Sequence, residues 1–221
     1  MEAQQVAQRH RTRAGVALDL GRFAVAEREA RAALAANPRD VTAQLYLCRA
    51  YLGMSEYDRA IAAARGAIGL APGDGYAYYL AGFAMQVAGR ANEAVDMLRE
   101  SVRLMPSAAR FHARLAIALL DARDRAGARA SIDAAIGLDP DNTGLIDEAA
   151  RVYGLLDALA LAEDLARRLV RLEPDALAIL RSHSWPGNVR ELEHWIESAI
   201  ALGPDGRVTA AQLPARRGPR A

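Results

Sequence analysis

The side chains with the most chemistry in this chain are arginines and a short aromatic row. All 28 basic residues are arginine, and no lysine occurs. Arginine is permanently charged and grips carboxylate or phosphate with a planar fork. Arg49, Arg110 and Arg151 could therefore pair with acidic residues of a partner, or simply form a solvated charged face. Tyr76, Tyr79 and Phe83 stand at i, i+3 and i+7, on one face of a helix. Such a row serves either a core or a contact surface.

The pattern argues against catalysis. A chain without lysine cannot build the phosphate loop G-x-x-x-x-G-K-[ST]. It has no nucleophile elbow, dinucleotide loop or paired-carboxylate constellation. His10, His112, His183 and His194 are scattered, and the last two are eleven residues apart with no cysteine near, so no zinc site is expected. A lone cysteine, Cys48, rules out an internal disulfide framework and fits a reducing compartment. The expectation is a protein that is not an enzyme and needs no metal or cofactor.

Apolar residues make up 52% of the 221 residues but aromatics only 5%, and much of the rest is alanine. Alanine buries little area, so helices must pack closely to form a core. The net charge of +1 argues neither for nor against nucleic acid. The start, "MEAQQVAQRHRTRAG", has no apolar signal-peptide region. No apolar run approaches the ~20 residues of a membrane span. A cytoplasmic location without membrane contact is expected.

A fixed ruler positions these residues. Pro38, Pro72, Pro106, Pro140 and Pro174 are each 34 residues apart. Twelve residues before each proline stands Ala26, Ala60, Ala94, Ala128 or Ala162, and twenty-four before stands Ala14, Cys48, Gly82, Ala116 or Ala150. Thirty-four residues fit two helices of about 13 residues with two short turns. Proline ends the second helix, and the small residues let two helix backbones approach. Gly21, Ser55 and Gly89 mark the turn inside the first three units; Arg123 and Asp157 occupy that place in the last two. His10 and His112 share one repeat position, which suggests a packing role.

This pattern resembles the tetratricopeptide repeat family, over residues 7–176. The units are 7–40, 41–74, 75–108, 109–142 and 143–176. The resemblance implies an all-α, right-handed solenoid of five helix-turn-helix units, with the first helices lining a concave groove for peptide or helical segments. The groove candidates are Gln8 and Arg11; Leu45 and Arg49; Tyr76, Tyr79, Phe83 and Gln86; Arg110 and Ile117; Asp147 and Arg151. Leu80, Ala81 and Gly82 take the inward positions of the third unit, which leaves the aromatic row free for either role. The lysine and asparagine set with which some family members clamp a terminal carboxylate is absent.

After Pro174 the pattern changes. "SHSWPGNVRELEHW" gives a tight Trp-Pro-Gly turn, then Asn188 as an N-cap with Glu191 three residues on. With "RVTAAQLP" further along, residues 173–214 resemble the C-terminal helical lid of the AAA+ domain in sigma-54-dependent transcription activators. That resemblance implies that Arg190 senses a nucleotide phosphate from the lid side. The ATPase core that would supply the phosphate, the sigma-contacting loop "GAFTGA" and the usual helix-turn-helix domain are not found in this sequence. Residues 177–214 are expected to form a small helical segment that packs on the last repeat, with 215–221 a disordered basic tail. Its three arginines are a poor case for direct DNA binding. Two functions follow: a non-catalytic interaction adaptor in bacterial regulation, or a fragment or diverged relative of such an activator. The partner is a peptide or protein in the groove, or a separate AAA+ ATPase or transcription machinery.

Overall fold

The computed structural model describes residues 2–168 together with Asp175 and Ala178. Among these residues there are nine helices and no strand. Helices α1 (Glu2–Asp19) and α2 (Phe23–Ala36) form the first hairpin, and α3 (Val41–Gly53) and α4 (Tyr57–Leu70) the second. The third is α5 (Gly75–Val87) with α6 (Ala91–Leu104), and the fourth α7 (Ala109–Asp121) with α8 (Arg125–Leu138). Helix α9 (Thr143–Arg168) follows. The chain divides into two units, Met1–Glu148 and Ala149–Ala221.

The turn inside each hairpin is the same device four times. One residue takes a left-handed φ: Gly21 at 67°, Ser55 at 60°, Gly89 at 76° and Arg123 at 65°. The amide after it reaches back five residues, as in Arg22 N–H to Ala17 O (2.8 Å) and Asp124 N–H to Leu119 O (2.8 Å). The left-handed residue itself donates three residues back, as in Gly21 N–H to Leu18 O (3.0 Å). This paired Schellman closure satisfies the last carbonyls of the first helix and turns the chain at once into the second. Arg123 adopts the conformation without glycine's freedom, at a cost of about 1–2 kcal/mol.

The fifth period departs from this plan. Helix α9 runs for 26 residues straight through Asp157, where the sequence placed an intra-unit turn. Neither glycine nor a left-handed residue stands there, so the helix simply continues. The expected segments 177–214 and 215–221, and the proposed packing of the first on the last repeat, lie outside the described residues apart from Ala178.

Between hairpins a second device recurs. Asp40 caps α3 by accepting from Ala43 N–H (3.0 Å), and Asp74 caps α5 by accepting from Tyr76 N–H (2.9 Å). Asn142 does the same for Leu145 N–H at 3.2 Å, whereas Ala108 before α7 has no side chain to offer. The preceding prolines stop the second helices one residue after their C-caps.

The core is built from alanine. Ala14, Ala26, Ala60, Ala94, Ala116 and Ala128 are all 0% exposed, so the two small-residue rows read from the sequence are contact rows. Ala150, the fifth member of one row, is exposed. A Cβ added at Gly82 would lie 2.5 Å from Leu98 Cγ and 3.1 Å from the Ala94 carbonyl oxygen. Gly53 lets the Phe23 ring sit 2.4 Å from where its own Cβ would be. Alternate helices also touch, α1 with α3, α3 with α5 and α5 with α7, whereas no such contact joins α2, α4, α6 and α8. The first helices of the hairpins therefore lie on the inside of the bend.

Candidate partner-binding groove

The inner helices carry the candidate site. On α5, Tyr76, Tyr79 and Phe83 are each half-buried; Tyr76 stacks on Tyr79 with ring centroids 5.8 Å apart, and the Phe83 ring lies tilted to Tyr79 at 6.5 Å. Phe111 of α7 anchors the row: it is 3% exposed and stacks on Tyr79 at 4.6 Å. The aromatic row is thus core at its base and surface at its edge.

A recess of about 430 Å³ opens over this row. Arg49, Leu52, Tyr76, Tyr79, Phe83 and Arg110 line it, together with Phe23, Gly53, Tyr57, Leu80 and Val87. No acidic side chain is among them. Among the described residues the one ion-pair partner of Arg49 is Asp19, at 3.9 Å and well exposed. Burial raises the pKa of the Tyr76 phenol, while the nearby charges of Arg49 and Arg110 pull it down. A neighbouring recess of about 820 Å³, toward the start of α7, shares Tyr76 and Arg110 and adds Met105, Phe111, Leu138 and Glu148.

The other groove candidates divide. Arg11 is committed to the fold: it bonds both carboxylate oxygens of the buried Asp40, at 3.2 and 3.3 Å, and the exposed Gln8. Leu45, expected on the groove, is 8% exposed and belongs to the packing instead. It occupies the repeat position of Tyr79, but its shorter side chain ends within the helix layer. Gln86 donates to Asp121 at 2.9 Å on the exposed surface. Ile117 is half-buried; Asp147 and Arg151 are exposed on α9. Arg190 lies outside the described residues.

Several residues around the site, among them Phe23, Leu52 and Tyr57, are not groove candidates in the sequence reading, and two more shape the row itself. Phe111 stands at the repeat position of Arg9, Ala43 and Ala77, and an aromatic ring where the two preceding repeats have alanine was a signal. Arg114 stands where Tyr46 and Leu80 stand in earlier repeats. Its guanidinium lies 4.4 Å above the Phe83 ring, and it contacts Gln86 and Glu148 at 3.5 and 4.0 Å. Its Nε is buried without a hydrogen-bond partner. The two histidines among the described residues have fold roles: His10 Nδ1 meets Glu29 at 2.8 Å, and His112 Nε2 meets the Pro106 carbonyl at 2.9 Å. Cys48 is fully buried, which pushes its thiol pKa up to about 12. Among the described residues no group of three or more His, Cys, Asp or Glu is placed to hold a metal ion. Nor is any helix among them long and apolar enough to cross a membrane.

Residues 11–82 and 86–143, more than half of the chain, match the tetratricopeptide repeat family model. The chain belongs to the tetratricopeptide repeat family. Its fold is similar to that of a thermophilic tetratricopeptide protein from Thermus thermophilus, with a TM-score of 0.61 at 21% identity over 89% of this chain and 100% of that one. The MamA protein of Desulfovibrio magneticus also gives 0.61, at 19% identity over 85% and 95%. Residues 157–220 match the AAA+ ATPase lid domain. The nitrogen assimilation regulatory protein NtrX of Azorhizobium caulinodans is 42% identical over 62 residues, 27% of this chain and 13% of that protein. The chain therefore spans only a small part of that curated relative. The tetratricopeptide match stops at 143 and the lid match starts at 157, inside the period where α9 runs without a turn.

Proposed function

We propose that this tetratricopeptide protein is a non-catalytic interaction module, holding a peptide or helical segment of a partner on its inner helices. The observation that carries the reading is the aromatic row of Tyr76, Tyr79 and Phe83. It is anchored below by Phe111 and open above into a recess. Rigid, half-exposed aromatics give contact area at low entropic cost, which is what a binding surface needs. A bacterial, cytoplasmic regulatory setting is proposed on the likeness of 157–220 to the lid of regulators such as NtrX. Affinity capture from a native lysate tests the reading. Partners held by the intact protein and lost with Tyr79→Ala or Arg49→Ala would support a groove adaptor. Partners kept by those variants and lost on removing 177–221 would refute it.

The lid match favours a second reading, in which the chain is a fragment or diverged relative of a sigma-54-dependent activator. Here the second half of the fifth period would belong to the lid rather than to a repeat. Arg190 would then serve a nucleotide bound by a separate AAA+ core. Binding to such a core that depends on ATP and is lost in Arg190→Ala supports this reading; nucleotide-independent binding counts against it.

A further inference from the structure

The recess over the aromatic row is chemically one-sided. It is lined by two arginines, five aromatic rings and no carboxylate. Arg110 is exposed and has no ion-pair partner among the described residues, in contrast to Arg11, whose charge Asp40 neutralises. Arg49 holds Asp19 only at the 3.9 Å limit, with Asp19 78% exposed, so that contact yields readily to a better acceptor. The Tyr76 hydroxyl likewise has no hydrogen-bond partner among the described residues. Arg49, Arg110 and Tyr76 all line this one recess, which brings three donors to it. A planar guanidinium offers two parallel N–H groups, the match for a carboxylate.

We propose that the recess receives an acidic segment of a partner protein, seating one Asp or Glu carboxylate between Arg49, Arg110 and the Tyr76 hydroxyl. An apolar side chain next to that carboxylate lies on Tyr79 and Phe83. This inference rests on the groove reading and gives its occupant a chemistry. The segment passes through rather than ends here, because the inner surface continues on both sides of the recess, α1 before it and the rest of α7 beyond Arg110 after it. Stacking aromatics beside arginine also suit single-stranded nucleic acid. The far end of the row is acidic, however: Asp121 bonds Gln86 and Glu148 meets Arg114. A phosphate backbone following the row would meet those carboxylates, whereas a peptide of mixed character would not be repelled.

The test uses the full chain and a random twelve-residue peptide library displayed on phage. Enriched peptides are then synthesised with a fluorescent label and titrated by polarisation. The expected result is enrichment of Asp or Glu adjacent to Phe, Trp or Leu. Arg49→Gln and Arg110→Gln should each weaken binding about tenfold, as loss of a charge-assisted hydrogen bond does. Both side chains are accessible, so these variants fold irrespective of what Tyr79→Ala does to packing. Neutral or basic peptides that are still lost in Tyr79→Ala would overturn the acidic occupant and keep the groove. No enrichment, or peptides indifferent to all three substitutions, would overturn both. Displacement of the peptide by a twelve-nucleotide oligothymidine would overturn the inference in favour of nucleic acid.

Discussion

Gly82 is where the packing of the third repeat is decided, and Gly82→Ala tests it. Alanine stands at the same repeat position in α1 and α7, as Ala14 and Ala116, and cysteine in α3, as Cys48, so a Cβ is not forbidden by the fold as such. What forbids it in α5 is Leu98. The added Cβ would lie 2.5 Å from Leu98 Cγ, against the ~3.5–4.0 Å of an ordinary carbon contact. Leu98 is 0% exposed, and Cγ is a branch point, so the side chain cannot swing clear. Overpacking of this kind costs about 1–3 kcal/mol. Replacing a helical glycine by alanine returns about 1 kcal/mol. The net expectation is a loss of up to about 2 kcal/mol.

The second arm makes the reasoning refutable. Leu98→Ala alone removes a large buried side chain and should cost about 2–5 kcal/mol. In that background the clash is gone, the new Cβ fills part of the cavity, and Gly82→Ala should become neutral or stabilising. The nearest remaining neighbour is the Ala94 carbonyl oxygen at 3.1 Å, which must yield by a few tenths of an ångström. The two sites should therefore couple by about 1–3 kcal/mol. Urea denaturation of the four proteins, compared at constant m-value, measures this directly. A Gly82→Ala protein more stable than the parent, or a coupling near zero, would show that Leu98 does not set the spacing of α5 and α6.

Three further outcomes are expected. Arg123→Gly should stabilise by about 0.5–1 kcal/mol in urea denaturation, because relief of the left-handed φ outweighs glycine's extra unfolded-state entropy. Ala108→Asp should add about 1 kcal/mol by supplying the N-cap that Asp40 and Asp74 give their helices, read as a higher melting temperature. The hydrogen bond with His10 lowers the pKa of the Glu29 carboxyl from 4.5, against the opposing effect of burial. A lowered acid stabilises the fold above its unfolded pKa and loses that contribution as the pH falls through its folded value. The melting temperatures of the parent and Glu29→Gln should therefore differ at neutral pH and converge well below pH 4.5.

The repeat period was legible because it is set by residues whose backbone constraints are local. Proline after each second helix and a small residue on each first helix act within a few residues of themselves, so their spacing alone reports two helices and two turns. The turn at Arg123 was less legible for a physical reason. A left-handed conformation can be imposed on any residue when the amides around it close a Schellman pair, and the glycine signal is then absent although the turn is present. Asp157 shows the converse: the period predicts a turn, but nothing local enforces one, and α9 continues. The register placed the groove candidates on the first helices of the hairpins and on α9 but carried no information on the depth of each side chain. Leu45 and Tyr79 share a position, yet one is core and the other reaches the surface. Arg11 was counted with the groove arginines because its partner, Asp40, is 29 residues away and invisible to local spacing.

The same contrast explains why the third repeat, rather than any other, carries the recess. At the three inner positions where α5 has Tyr76, Tyr79 and Phe83, α1 has Gln8, Arg11 and Gly15, and α3 has Thr42, Leu45 and Arg49. Only in α5 are all three side chains long, flat and apolar. They can stand at half-depth because Gly82 brings α6 close behind them and Phe111 fills the space beside them. The arginine at the third position of α3 and the one at the first position of α7 then fall on either side of the row. A regular scaffold thus acquires one irregular, charged and aromatic station from substitutions at five repeat positions. If that is the origin of the site, a change that moves α5 against α6 should disturb binding without touching a lining residue. Gly82→Ala would then weaken a groove ligand as well as the fold, whereas Ala108→Asp, which leaves the α5–α6 pairing alone, would raise stability with binding unchanged.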